Sequence, residues 1–171
     1  LMRIISGKHK GRKITAPSKL PVRPTTDMAK EGLFNILNNT YYFNDISVLD
    51  LFSGTGNIAF EFGSRGCLAI TSVDENQGCI KFISETSEQL ELNISAIKTG
   101  GKYDIVFADP PYDLDFDDFS KIPELVFSRE LLLEDGVLII EHSKHTDLSK
   151  LPHFTNQRKY GGSVFSFFKA N

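Results

Sequence analysis

Tryptophan is absent from the 171 residues, and cysteine and methionine occur twice each. Cys67 and Cys79 have neither C-x-x-C nor metal-ligand spacing, which argues against a disulfide-stapled scaffold and a zinc site. No apolar run approaches the roughly 20 residues of a membrane span. The first residues are polar and basic, without the apolar segment of a signal peptide. The expectation is a cytoplasmic protein of reducing surroundings, with no membrane contact. Repeats and low-complexity tracts are also missing. The length fits one domain with its own core, spanning 1–171.

Net charge is only −3, but it is unevenly spread. Residues 1–30 hold eight basic side chains against Asp27 alone, a net of +7, so the remainder carries −10. A basic arm on an acidic body points to an anionic partner at that end. Met2–Ala16 reads as two short strands around a glycine-bounded turn, with Lys8, Lys10, Arg12 and Lys13 at or beside it, suited to phosphates. Residues 2–24 thus form a basic hairpin and an extended linker that carries Arg23, and 25–171 form the core. Thr25, Thr26 or Asp27 caps a helix whose apolar face is Ala29, Leu33, Ile36 and Leu37.

Strands and helices then alternate. Strands are expected at 47–52, 69–74, 94–99, 104–108 and 136–141, and helices at 57–64, 77–90 and 122–132. A closing pair of strands, 154–160 and 163–169, flanks Gly161-Gly162. This pattern specifies an α/β fold: a doubly wound, mostly parallel, seven-stranded sheet with an antiparallel C-terminal hairpin. One link is anomalous. The strands ending at Thr99 and beginning at Asp104 are parallel and not adjacent, and such a crossover needs a dozen or more residues. The expectation is that the natural chain carries further residues between Thr99 and Lys102.

The centre of the pattern is Val48–Asn57. An apolar strand ends in Asp50, and Phe52, Ser53, Gly54 and Gly56 form a turn into a new apolar helix. Glycine lets the backbone approach a ligand, and the helix start offers unpaired N–H groups. Gly54-Thr55-Gly56-Asn57-Ile58-Ala59 fits both the dinucleotide fingerprint and S-adenosylmethionine (SAM) binding. Asp50 is suited to orienting the loop or holding an ammonium group. Asp74 closes the next strand, where a carboxylate can accept ribose hydroxyls; a strand-end cap is the simpler alternative. Neither residue separates the two cofactors.

Asp109-Pro110-Pro111-Tyr112 separates them. An exocyclic base amine is a poor nucleophile because its lone pair is delocalised into the ring. A carboxylate and a fixed carbonyl, that of Pro110 held rigid by Pro111, can draw it toward a pyramidal state. Tyr112 offers a face for a base taken out of its stack. The simpler alternative is a proline turn with an incidental tyrosine.

With these residues in place the chain resembles class I SAM-dependent methyltransferases that act on amines, and more closely the RsmD family, which methylates guanine N2 in 16S ribosomal RNA. The resemblance rests on Arg3–Lys8 with Gly11–Lys13, on Arg23-Pro24-Thr25-Thr26-Asp27 leading to Lys30-Glu31 and Leu33–Asn35, on Asp50–Gly56 and on Asp109–Tyr112. It implies SAM as cofactor, Thr25 against the cofactor, and 16S rRNA of the small subunit or its precursor as partner. Alternatives are an adenine-N6 or protein-glutamine methyltransferase, a non-catalytic RNA-binding module, and a dinucleotide oxidoreductase. No metal is expected: His142 and His145 lack a third ligand and read as surface or capping histidines, and Asp113–Asp118 reads as a solvated acidic turn.

Overall fold

A computed structural model describes residues 1–20, 25–96 and 101–170. A two-stranded antiparallel hairpin, β1 (Met2–Arg3) and β2 (Lys13–Ile14), precedes helix α1 (Asp27–Asn38). Then follow β3 (Ser47–Leu51), α2 (Asn57–Ser64), β4 (Ala69–Val73), α3 (Gln77–Gln89), β5 (Ile94–Ala96), β6 (Tyr103–Ala108), α4 (Phe116–Ser128), β7 (Leu132–Ser143), β8 (Phe154–Tyr160) and β9 (Ser163–Lys169). The large sheet has the order β5-β4-β3-β6-β7-β9-β8. Strands β3 to β7 pair parallel, and β9 pairs antiparallel with both β7 and β8. The doubly wound architecture is as the sequence implies.

Side chains alternate across the sheet, so each strand feeds two cores. Val48, Ile105, Phe107, Val137 and Ile139 pack on one face with Ala29, Leu33, Phe34, Ala59 and Phe62. Leu49, Val106, Ala108, Leu138 and Ile140 pack on the other with Phe119, Ile122 and Val126. Burial on both faces is why these strands read as nearly unbroken apolar runs. The same alternation puts Asp50, Asp109 and Glu141 on the first of these faces, at the carboxyl end of the sheet. That is where an open parallel sheet takes its ligand.

Helix ends follow their caps. Thr26 accepts from the Ala29 N–H, Asn76 from those of Gly78 and Cys79, and Asp115 from that of Asp118. The last of these corrects two expectations. The fourth helix starts at Phe116 and not near Ile122, because Asp115 caps it while Asp117 and Asp118 complement its dipole in the first turn. The acidic run is therefore a helix start and not merely a solvated turn. Pro123 lies inside α4, where proline ordinarily breaks a helix. Leu132, expected to end that helix, begins the longer β7 instead. His142 is another correction: it is fully buried, with Nε2 2.7 Å from Ser166 Oγ and Nδ1 2.9 Å from the Ser143 carbonyl. His145 is exposed as expected.

The hairpin is welded to the core. Met2, Ile4 and Ile14 bury against Phe60, Ile83 and Leu90. Gly7, at φ +88°, sits so close to α2 that a Cβ would lie 1.9 Å from the Ser64 carbonyl oxygen, so no other residue fits. β5 and β6 are parallel with β4 and β3 between them, as the anomalous link requires. Their facing ends, Ala96 and Tyr103, are about 14 Å apart across the sheet and about 13 Å along it. Seven residue steps reach at most about 25 Å fully extended. Ile97–Gly100, where the expected additional residues and the end of the third strand fall, lie outside the described residues. No helix among the described residues is long and apolar enough to cross a membrane.

Candidate active site

A cleft of about 690 Å³ opens at the carboxyl ends of β3, β4 and β6. Thr25, Asp50, Phe52, Ser53, Gly54 and Asp74 line it together with the whole of Asp109-Pro110-Pro111-Tyr112. The two motifs, far apart in sequence, thus face one space. Gly56 lies beneath, at φ +87°, as the N-cap of α2, and its Cβ would meet Phe60 and Ile83 at 2.8 and 3.0 Å. Gly56 supplies no side-chain cap to α2, and Asn57 and Ile58, whose N–H groups have no partner within the helix, line the cleft.

The turn is built on Asp74. Its Oδ2 accepts from the Gly54 N–H at 2.8 Å and its Oδ1 from the Asn76 N–H at 2.8 Å. Each oxygen keeps a second lone pair, so the strand-end cap and an acceptor for ligand hydroxyls coexist in one carboxylate. Ser53 donates to the Val73 carbonyl at 3.1 Å. Phe52 adopts φ +55°, a strained value for a residue with a Cβ, and stands exposed at the cleft mouth.

Asp50 is different. It is fully buried, and neither carboxylate oxygen has a hydrogen-bond partner among the described residues. Burial, with the Asp74 charge adding to it, pushes its carboxyl well above the usual range, and the nearby Ala59 N–H in the first turn of α2 offsets only part of that. A buried carboxylate left without a donor is costly, and it lines the cleft.

Sequence reading missed Glu141 and Asn57. Glu141, fully buried at the end of β7, accepts from Thr25 Oγ1 at 2.6 Å and from the Tyr112 hydroxyl at 3.2 Å. That hydroxyl also lies 2.9 Å from Ser163 Oγ. Asn57 donates to the Thr25 carbonyl at 3.1 Å and accepts from Lys30 Nζ at 2.8 Å. Glu141 repeats the signal that marked Asp50 and Asp109, an acid closing an apolar strand.

The basic residues are not gathered at the cleft. Lys8 and Lys10 belong to the turn docked at the far end of α2. There the Lys8 N–H donates to the Ser64 carbonyl and His9 Nε2 to the Leu90 carbonyl. Lys8 pairs with Glu91 at 3.7 Å. Eight helical residues put this turn about 12 Å below the cofactor turn. Lys13 stands exposed opposite Arg3, nearer the cleft. Arg12 precedes it, and Arg23 lies outside the described residues. No cluster of side chains able to hold a metal occurs among the described residues.

This sheet order, with a glycine turn after the first parallel strand of the sheet and an acid-Pro-Pro-Tyr loop on its neighbour, defines a class I methyltransferase. The family model described as "Conserved hypothetical protein 95" matches residues 2–169, and the chain belongs to that family, the RsmD-type methyltransferases. YlbH of Bacillus subtilis is 30% identical over 185 residues, covering 98% of each chain. "Ribosomal RNA small subunit methyltransferase D" of Escherichia coli is 31% identical over 168 residues, 88% of this chain and 79% of the relative. Among solved structures, Thermus thermophilus hypothetical protein TTHA0928 superposes with a TM-score of 0.84 at 21% identity, over 99% of this chain and 100% of that one. A 16S rRNA N2 methyltransferase (RsmC) of T. thermophilus, in complex with AdoMet and guanosine, superposes with a TM-score of 0.71 at 16% identity, over 89% of this chain and 45% of that one.

Proposed function

We propose that the protein transfers a methyl group from SAM to the exocyclic N2 amine of a guanine in 16S rRNA. The observation that carries this reading is the meeting, in one cleft, of the partnerless buried Asp50 and the Asp109–Tyr112 loop. The residues fit the cofactor. Asp50 supplies the anion that an ammonium group would neutralise, the open α2 N-terminus favours a carboxylate, and Asp74 retains lone pairs for ribose hydroxyls. When bound, SAM supplies an electrophilic methyl on a sulfonium.

The chain's own part is placement. Asp109 and the Pro110 carbonyl accept the two N–H bonds of the amine and turn its lone pair toward the cleft. The Tyr112 ring carries the base. The product proton leaves to Asp109 or to water. Arg12, Lys13, Lys10, Lys8 and Arg23 engage RNA phosphates along the arm, away from the reacting atoms. The E. coli relative's name supports ribosomal RNA of the small subunit as the substrate, and the guanosine bound by the RsmC neighbour supports the N2 amine.

Methyl-labelled SAM incubated with unmodified 16S RNA, small ribosomal subunits or DNA tests the proposal. Labelled N2-methylguanine in RNA or subunits is expected. Label in DNA adenine, or no label with SAM binding intact by calorimetry, would overturn it.

A further inference from the structure

Glu141 is a fully buried carboxylate at the carboxyl end of the sheet that the proposed chemistry does not use. It follows four apolar residues of β7, stands opposite Phe165 of β9, and is fully buried. It does not line the cleft. An apolar side chain would satisfy that place at lower desolvation cost. Its two oxygens instead hold two cleft-lining residues, Thr25 through Oε1 and Tyr112 through Oε2.

We infer that Glu141 is a positioning residue for methyl transfer: it fixes the Tyr112 ring against Thr25 and so sets the base platform in register with the cofactor end of the cleft. The inference rests on the methyl-transfer reading above. The geometry is specific. A tyrosine ring turns about two side-chain torsions, and a hydroxyl held between Glu141 Oε2 and Ser163 Oγ fixes where both can settle. Thr25 is held from two sides, by its hydroxyl to Glu141 and by its carbonyl to Asn57, the first residue of the helix that carries the glycine turn. One carboxylate therefore spans the two halves of the site. In-line transfer tolerates little misplacement, and a shift of about 1 Å can cost on the order of a hundredfold in rate.

The test compares Glu141→Ala, Glu141→Gln, Tyr112→Phe and the Glu141→Ala/Tyr112→Phe pair, assayed with small subunits at a temperature where melts show each to be folded. Glu141→Ala and Tyr112→Phe should each lower kcat by about tenfold or more while KM for RNA moves less than about threefold. The pair should be no slower than Glu141→Ala alone, because both remove one constraint. Glu141→Gln should recover to within about threefold, since an amide still accepts from Thr25 and can donate to the Tyr112 oxygen. Independent, multiplying losses, or a Gln variant as slow as Ala, would overturn the inference. A crystal structure of Glu141→Ala gives a readout without turnover: a displaced Tyr112 ring is expected, and an unmoved ring overturns the proposal. Failure of the wild type to methylate RNA would sink the functional reading alone, and the ring position would still decide the role of Glu141.

Discussion

At the scale of single residues, Asp50 sets stability against binding. Its folded carboxyl titrates well above the ordinary 3.8. Its contribution to stability is therefore complete below about pH 3.8 and is lost as the pH rises through the folded value, because the ionised form is the one burial penalises. Asp50→Asn should raise the melting temperature of the ligand-free protein at pH 7 and weaken SAM binding by about tenfold or more, read by calorimetry. His142 works in the other direction. Burial holds its imidazole below the ordinary 6.5. The unfolded chain takes up a proton near pH 6.5 that the folded one refuses, so stability is full above that pH and falls as the solution is acidified. Urea melts at pH 7.5 and 5.5 should show the loss, and His142→Phe should flatten it. Asp109→Ala should lower kcat by about a hundredfold or more with SAM affinity intact. Asp50, Asp74 and Asp109 were legible in the sequence as acids at the ends of apolar runs. That Asp74 also builds the turn, and that His142 is buried, were not, because both depend on neighbours supplied by other elements.

Among elements, α2 and its neighbours hold a buried ion pair. Lys30 Nζ lies 3.1 Å from Glu61 Oε1, both fully buried, and Glu61 also accepts from the N–H groups of Ile5 and Ser6 and from Arg65. Lys30→Met should destabilise by about 3 kcal/mol in denaturant melts, because it takes the ammonium out of a buried pair and leaves the Arg3 carbonyl and Asn57 Oδ1 without this donor, although Arg65 and two N–H groups stay on Glu61. Lys30→Met with Glu61→Leu should regain much of that stability yet loosen the hairpin, seen as faster amide exchange at Ile5 and Ser6. Element positions were largely readable: α2, β8 and β9 lie where periodicity puts them. The α4 boundaries were not, since Pro123 imitates a helix start and Asp115 caps the true one.

For the whole molecule, the arm runs along α2, with the Lys8–Lys10 turn about one helix length from the cleft, and binding should divide accordingly. Lys10→Ala with Lys13→Ala should weaken RNA binding and reduce the slope of log K against log salt by roughly 0.7–0.9 per lost contact. kcat at saturating RNA should stay unchanged, since neither side chain lines the cleft. The division could not be read from sequence, where the basic residues and Thr25 lie within a few turns of chain. It arises because Gly7 and His9 dock at the bottom of α2 while Met2 reaches Thr55 at its top.

That arrangement constrains how such a chain can change over generations. Asn57, Glu61 and Ser64 fall on one side of α2 at spacings of four and three residues. Asn57 serves the cleft, whereas Glu61 and Ser64 anchor the arm. A lineage that discarded the arm would lose the reason for a hydroxyl at Ser64 and would drift toward alanine there, while Asn57 stayed under selection through Thr25 and Glu61 through Lys30 and Arg65. The helix thus records, at its last residue, whether its owner still carries the arm.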